Sequence, residues 1–138
     1  MSTPKRYFVL PDCQVKPGDD LEHLDWAAQA LVDYKPDVIV CLGDWWDLHS
    51  LSTHAAPGSK ETEGASIQDD IETGNEAFER LVAPMEKAIE RRRRGHRTRW
   101  EPERHFLFGN HEHRLSRAIE REPKWAGILS LDHLRTPG

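Results

Sequence analysis

The stretch Asp37-Val38-Ile39-Val40-Cys41-Leu42-Gly43-Asp44-Trp45-Trp46-Asp47 decides how this 138-residue chain is read. Its apolar, β-branched first half predicts a strand, and Gly43 permits a tight turn that throws Asp44 forward from the strand end. Working outward, Tyr7-Phe8-Val9-Leu10 and His105-Phe106-Leu107-Phe108 repeat the pattern. Each carries its own polar motif, Pro11-Asp12-Cys13-Gln14 after the first and Gly109-Asn110-His111-Glu112 after the last. Helical periodicity fills the gaps. Leu21, Leu24, Ala28, Leu31 and Val32 predict a helix from Asp20 to about Tyr34, closed by Lys35-Pro36. Ile67, Ile71, Phe78, Leu81, Val82, Met85 and Ile89 predict a long second helix that Pro84 kinks or interrupts. Leu115 and Ile119 mark a third, from Arg114 to about Arg121. Strands alternating with helices favour an α/β fold with a parallel sheet. Ligands in such sheets bind beyond the carboxyl ends of the strands, and all three polar motifs lie there.

Those motifs bring carboxylates, side-chain amides and a histidine to one edge. Hard or borderline divalent cations take carboxylate, amide and imidazole donors, and a carboxylate can span two ions roughly 3.5–4 Å apart. Taken singly each motif is weak: Asp-x-Gln is an ordinary loop end, Gly-Asp-x-x-Asp is common in turns, and Gly-Asn is routine turn chemistry. The signal lies in their order, their strand contexts and their spacing.

In that order the motifs resemble the N-terminal portion of the calcineurin-like metallophosphoesterases, closest to the single-domain type of phages and bacteria. The family pattern runs Asp-x-His, Gly-Asp-x-x-Asp, Gly-Asn-His-Asp/Glu, then a lone His and Gly-His-x-His. The match extends from about Tyr7 to about Arg114, with Gln14 standing where the family has histidine and nothing later matching the last two motifs. The resemblance implies a metallophosphatase-like sheet with flanking helices, here incomplete, in a single domain over residues 1–138 that lacks the C-terminal half-sheet. It also implies roles. Asp12 and Gln14 would ligate a first metal, Asp44 would bridge two metals, and Asn110 would ligate the second. His111 would face the substrate, oriented by Asp47. Two divalent ions are implied, Mn2+ with Mg2+ as the alternative, because the neutral Gln14 carbonyl is a harder ligand than imidazole.

The implied activity is hydrolysis of a phosphodiester, nucleic acid among the candidates, by a hydroxide that the two metals activate. The competing expectation is a truncated, inactive relative that serves as a metal-binding or interaction subunit. A C-terminal half or a second subunit would then complete the site, since His133, the one late histidine in the chain, reads better as a surface residue than as a stand-in ligand. An exposed apolar sheet face and edge are expected of such a half-fold.

Charge is unevenly spread. Residues 1–90 hold 7 Lys and Arg against 18 Asp and Glu, whereas residues 91–138 hold 12 against 6. The basic part opens with Arg91, Arg92, Arg93 and Arg94, continues through Arg97 and Arg99, and includes Trp100. Such a cluster suits a phosphate backbone and a stacked base. Arginines that merely end a helix and stay solvated are the alternative. The stretch after the middle motif, with His49 and His54 before Ala55-Ala56-Pro57-Gly58-Ser59, reads as a flexible loop that would serve as a substrate lid. Cys13 and Cys41 are expected to be reduced, no segment reads as a membrane span or secretory signal, and the expected compartment is the cytoplasm, the host's if the chain is phage-encoded.

Overall fold

Strands β1 (Tyr7–Leu10), β2 (Val38–Cys41) and β3 (Glu103–Phe106) form a parallel sheet in the order β1-β2-β3. The structure, a computed structural model, describes residues 2–52 and 66–135. Leu10 pairs with Cys41, and Cys41 with Phe106, so the three strands end level. β3 starts two residues before the predicted run. In-register pairing with β2 sets its limits, from the Glu103 N–H donated to Asp37 O (2.9 Å) to the Leu107 N–H donated to Cys41 O (3.0 Å). As an edge strand β3 tolerates charge, and its Arg104 pairs with Glu86 at 2.6 Å.

Helices α1 (Glu22–Tyr34) and α2 (Ile67–Arg94) connect the strands. Both lie on one face: Leu31, Phe78, Leu81 and Met85 from the helices meet Leu10, Ile39, Cys41 and Phe106 from the sheet. Two crossovers of one hand that advance in one direction across a sheet must place their helices together. Each large side chain fully buried in that layer, such as Leu24, Leu31, Leu81 or Met85, contributes about 1.5–3 kcal/mol. By the two-residue alternation Tyr7, Val9, Val40, Leu42, His105 and Leu107 share the opposite face. There Tyr7 is 57% exposed and Leu107 51%.

α2 is one helix of 28 residues with Pro84 inside it, so the predicted interruption does not occur. Proline removes one backbone hydrogen bond, but Pro84 is on the exposed side, while Leu81 and Met85 on either side of it are buried against the sheet. Ser66 caps the start of α2 by accepting the Asp69 N–H, and Lys35 closes α1 with a left-handed φ of 46°. Arg80 clamps the two helices through a two-pronged pair with Asp25 (2.7 and 2.6 Å).

The last helix, α3 (His113–Arg121), follows the third motif. In the apolar stretch after it Ile128 is exposed and Leu134 is buried. That tail is tied to α2. The Asn75 amide donates to His133 O and accepts the Arg135 N–H, each at 3.0 Å. His133 Nδ1 accepts the Ser130 N–H (3.2 Å) and so caps its own turn, which leaves it no part in the site. No helix among the described residues is long and apolar enough to cross a membrane.

Candidate active site

The carboxyl ends of the three strands are sewn together by backbone. Leu42 N–H donates to Leu10 O (2.9 Å), Gln14 N–H to Asp44 O (2.8 Å) and Val15 N–H to Trp45 O (2.7 Å), so the first motif runs beside the middle one. Gly43 and Gly109 let the middle and third motifs touch. A Cβ on Gly43, where φ is 92°, would fall 2.6 Å from Gly109 N, and one on Gly109 would overlap the Asp44 carboxylate. Gln14, Asp44 and Leu48 hold left-handed φ values of 47°, 51° and 51°. Non-glycine residues pay for that conformation, and its concentration at one edge marks a place where the surrounding contacts enforce it.

Glu112 supplies most of that enforcement. It is fully buried, and its two oxygens accept four backbone N–H groups: Asp44 (2.9 Å) and Gly109 (2.7 Å) on Oε2, Trp45 (2.7 Å) and Trp46 (3.3 Å) on Oε1. One carboxylate thus fixes the second motif against the third. The sequence reading quoted Glu112 as part of its motif but gave it no role. An acid one residue before a helix reads as ordinary N-terminal charge, so the signal was present and ambiguous.

His111 sits between the two acids of the middle motif. Its backbone N–H donates to Asp44 Oδ1 (2.8 Å), and its ring Nδ1 lies 2.8 Å from Asp47 Oδ1 and 2.9 Å from Asp47 O. Both neighbours of Nδ1 are acceptors only, so Nδ1 carries the proton, and Nε2 has no partner among the described residues. Asp47 is buried and has further basic neighbours. Arg114 Nη1 donates to its carbonyl (2.7 Å) and lies 3.6 Å from Oδ1, while His49 Nδ1 lies 3.9 Å from Oδ2. Arg114, read from sequence only as the start of a helix, is therefore part of the site.

The expected metal ligands are differently placed. Asp12, Gln14 and Asn110 are exposed at this edge, and none of their side chains makes a hydrogen bond or ion pair with a described residue. Asp44 is partly buried, and its Oδ2 likewise has no partner among the described residues. Among the described residues no group of three or more His, Cys, Asp and Glu side chains is gathered as a metal site. The expected set contains only two such residues, with two amides, and its donors suit Mg2+ or Mn2+ by their chemistry.

Behind the motifs, Trp45 and Trp46 are fully buried against α2. Trp45 Nε1–H donates to Gly74 O (2.9 Å), and a Cβ on Gly74 would overlap the Trp46 indole, so this glycine makes room for the site's support. Trp46 Nε1 has no acceptor among the described residues. The turn His49–Leu51 is pinned to the same helix, because Ser50 N–H and Oγ–H both donate to the buried Asp70 (2.9 and 2.6 Å). Of the expected lid, His54 and Ala55 to Ser59 lie outside the described residues. Burial, with the neighbouring Cys41 second, pushes the Cys13 thiol up to about 12, and burial pushes Cys41 up to about 11; both are free.

The basic cluster is not at this site. Trp100 Nε1–H donates to Pro36 O (2.9 Å) and Glu103 N–H to Asp37 O (2.9 Å), which places Arg91 to Arg99 at the amino ends of the strands. Four strand residues, about 13 Å, separate the two edges. Much of its charge is also paired: Arg93 and Arg94 with Glu90 (2.7 and 2.8 Å), Arg99 with Glu101 (2.6 Å), and Arg92 with Thr98 O (2.9 Å). Arg91 and Arg97 have no such side-chain partner among the described residues. Trp100 is largely buried, at 9% exposure, and borders a cavity that Arg93, Arg97 and Arg99 also line.

What the geometry defines is an open α/β protein with polar motifs on the carboxyl edge of a small parallel sheet. No family model matches the chain, and neither a curated protein nor a solved structure does.

Proposed function

We infer that the chain is a phosphoesterase module of the metallophosphoesterase type, acting on a phosphodiester. The observation that carries this reading is the His111 arrangement: a ring held through Nδ1 by the buried Asp47, its backbone on Asp44, and its Nε2 free at the edge where unpartnered carboxylate and amide side chains collect. Asp12, Gln14, Asp44 and Asn110 would hold divalent cations, which supply, when bound, charge neutralisation on phosphoryl oxygens and a lowered pKa for water. The chain's own residues do the rest. Asp47 fixes the His111 tautomer and stabilises the ring when Nε2 is also protonated, so that Nε2–H can be given to the leaving oxygen. Glu112 holds Asp44 and His111 in register while the ester bond breaks.

The test is hydrolysis of bis(p-nitrophenyl) phosphate by the 138-residue chain with Mn2+. Slow turnover is expected, raised by orders of magnitude when a segment carrying His and Gly-His-x-His is added, and His111→Ala should remove that gain. Turnover that His111→Ala leaves intact, in either form, overturns the reading.

A second reading has its own observation. The exposed Tyr7, Val9, Leu42 and Leu107 on the bare sheet face fit an interaction subunit whose site is completed by another polypeptide. Under this reading the chain binds Mn2+ weakly and shows no hydrolysis alone.

A further inference from the structure

α3 carries Arg114, Arg117 and Arg121 at spacings of three and four, which aligns three guanidinium groups along one helix face. That face borders a cavity of about 290 Å3, walled on its other sides by Leu51, Leu129 and Trp125. Like charges on one helix face destabilise it, and of the three only Arg114 offsets that cost with a close contact, to Asp47. Nor are the charges answered locally. Arg121 makes no hydrogen bond or ion pair with any described residue, and Arg117 reaches only the Asn110 carbonyl, at 3.3 Å. The one carboxylate among the described lining residues, Glu122, is engaged by Lys124 at 2.6 Å.

The cavity shares one residue, Arg114, with the site. Arg114, at its inner end, donates to the Asp47 carbonyl, and Asp47 holds His111. Its walls combine a cationic stripe with aliphatic side chains and an indole, and its size lies at the lower end of small-ligand pockets. An anion alone would leave the leucine walls without a partner, while the indole already has Lys124 Nζ 5.6 Å from its ring centroid. A ligand with a phosphate at one end and a flat, apolar ring system at the other meets both.

We propose that this cavity is a nucleotide subsite, in which Arg117 and Arg121 take the phosphate and Trp125 packs on the base. That the bound nucleotide flanks the scissile ester rests on the phosphoesterase reading; that a nucleotide binds does not. This basic surface lies on α3, near His111, at the opposite edge of the sheet from the Arg91 to Arg99 cluster.

The experiment is calorimetric titration of the full chain, in EDTA at low salt, with adenosine 5′-monophosphate, ribose 5-phosphate and inorganic phosphate. The nucleotide should bind about tenfold more tightly than ribose 5-phosphate. Arg121→Ala, an exposed change, should weaken nucleotide binding about tenfold, the loss of one charge-assisted hydrogen bond. Trp125→Leu should reduce nucleotide affinity to that of ribose 5-phosphate while leaving the sugar phosphate unchanged. His111→Ala should bind the nucleotide as the parent does, so a chain that binds it but never hydrolyses an ester defeats only the catalytic reading. Equal binding of nucleotide and ribose 5-phosphate by the parent, or unchanged nucleotide binding by Arg121→Ala, overturns the subsite.

Discussion

The two ends of the sheet use charge in opposite ways. At the carboxyl edge Glu112 is removed from water and accepts four backbone N–H groups, while Asp47 lies buried against His111 and Arg114. At the amino edge Arg93, Arg94, Arg99 and Lys5 make ion pairs with Glu90, Glu101 and Glu103 in open solvent. A buried carboxylate fixes geometry because the groups it holds have no water to replace it, whereas exposed pairs exchange freely with solvent and salt. The amino edge is rich in charge and carries little structure. At the carboxyl edge the buried charges are Asp47 and Glu112, and each positions a motif.

The sharpest way to break this contrast is at Glu112. Glu112→Ala should lower stability by about 3–5 kcal/mol, because four backbone donors lose their acceptor in a buried place. Urea unfolding measures it, and a loss below about 1 kcal/mol would mean that the loop contacts are dispensable. A matched variant with Arg91 to Arg94 all changed to Ala should leave the urea midpoint nearly where it was.

Next in size is the division of labour between the two acids of the middle motif. Asp44→Asn should weaken Mn2+ binding about a hundredfold, since its carboxylate is the bridging candidate. Asp47→Asn should change Mn2+ affinity little and reduce turnover, because it misorients His111. Calorimetry on both variants decides between them, and equal losses would remove Asp44 from its role.

Smaller effects probe the support behind the edge. Gly74→Ala should cost about 1–3 kcal/mol, because the added methyl meets the rigid Trp46 indole rather than a flexible chain end. Trp46→Phe should be nearly neutral to stability, as it deletes an indole N–H that has no acceptor and thereby offsets part of the lost volume. Differential scanning calorimetry of the two resolves them, and a larger loss from Trp46→Phe than from Gly74→Ala would show that the indole N–H has a partner after all.

The amino-acid sequence by itself determined the strands β1 and β2, the periodic faces of α1 and α2, and the placement of three polar motifs beyond strand ends. These follow from local rules: β-branched runs extend, helical stripes bury, and glycine permits the turn. Tertiary structure alone decided the rest. Pairing with β2 moved β3 two residues toward its start, and the anchors on both sides of Pro84 carried α2 through it. Glu112 gained its role only when Gly43 and Gly109 brought two loops into contact from positions far apart in the chain. The basic run lies away from the motifs because α2 ends at the opposite edge of the sheet, which no count of arginines reveals. Local propensity reports what a segment can become; only packing fixes which side chains lose water together, and that sets which charges hold the site and which merely face solvent.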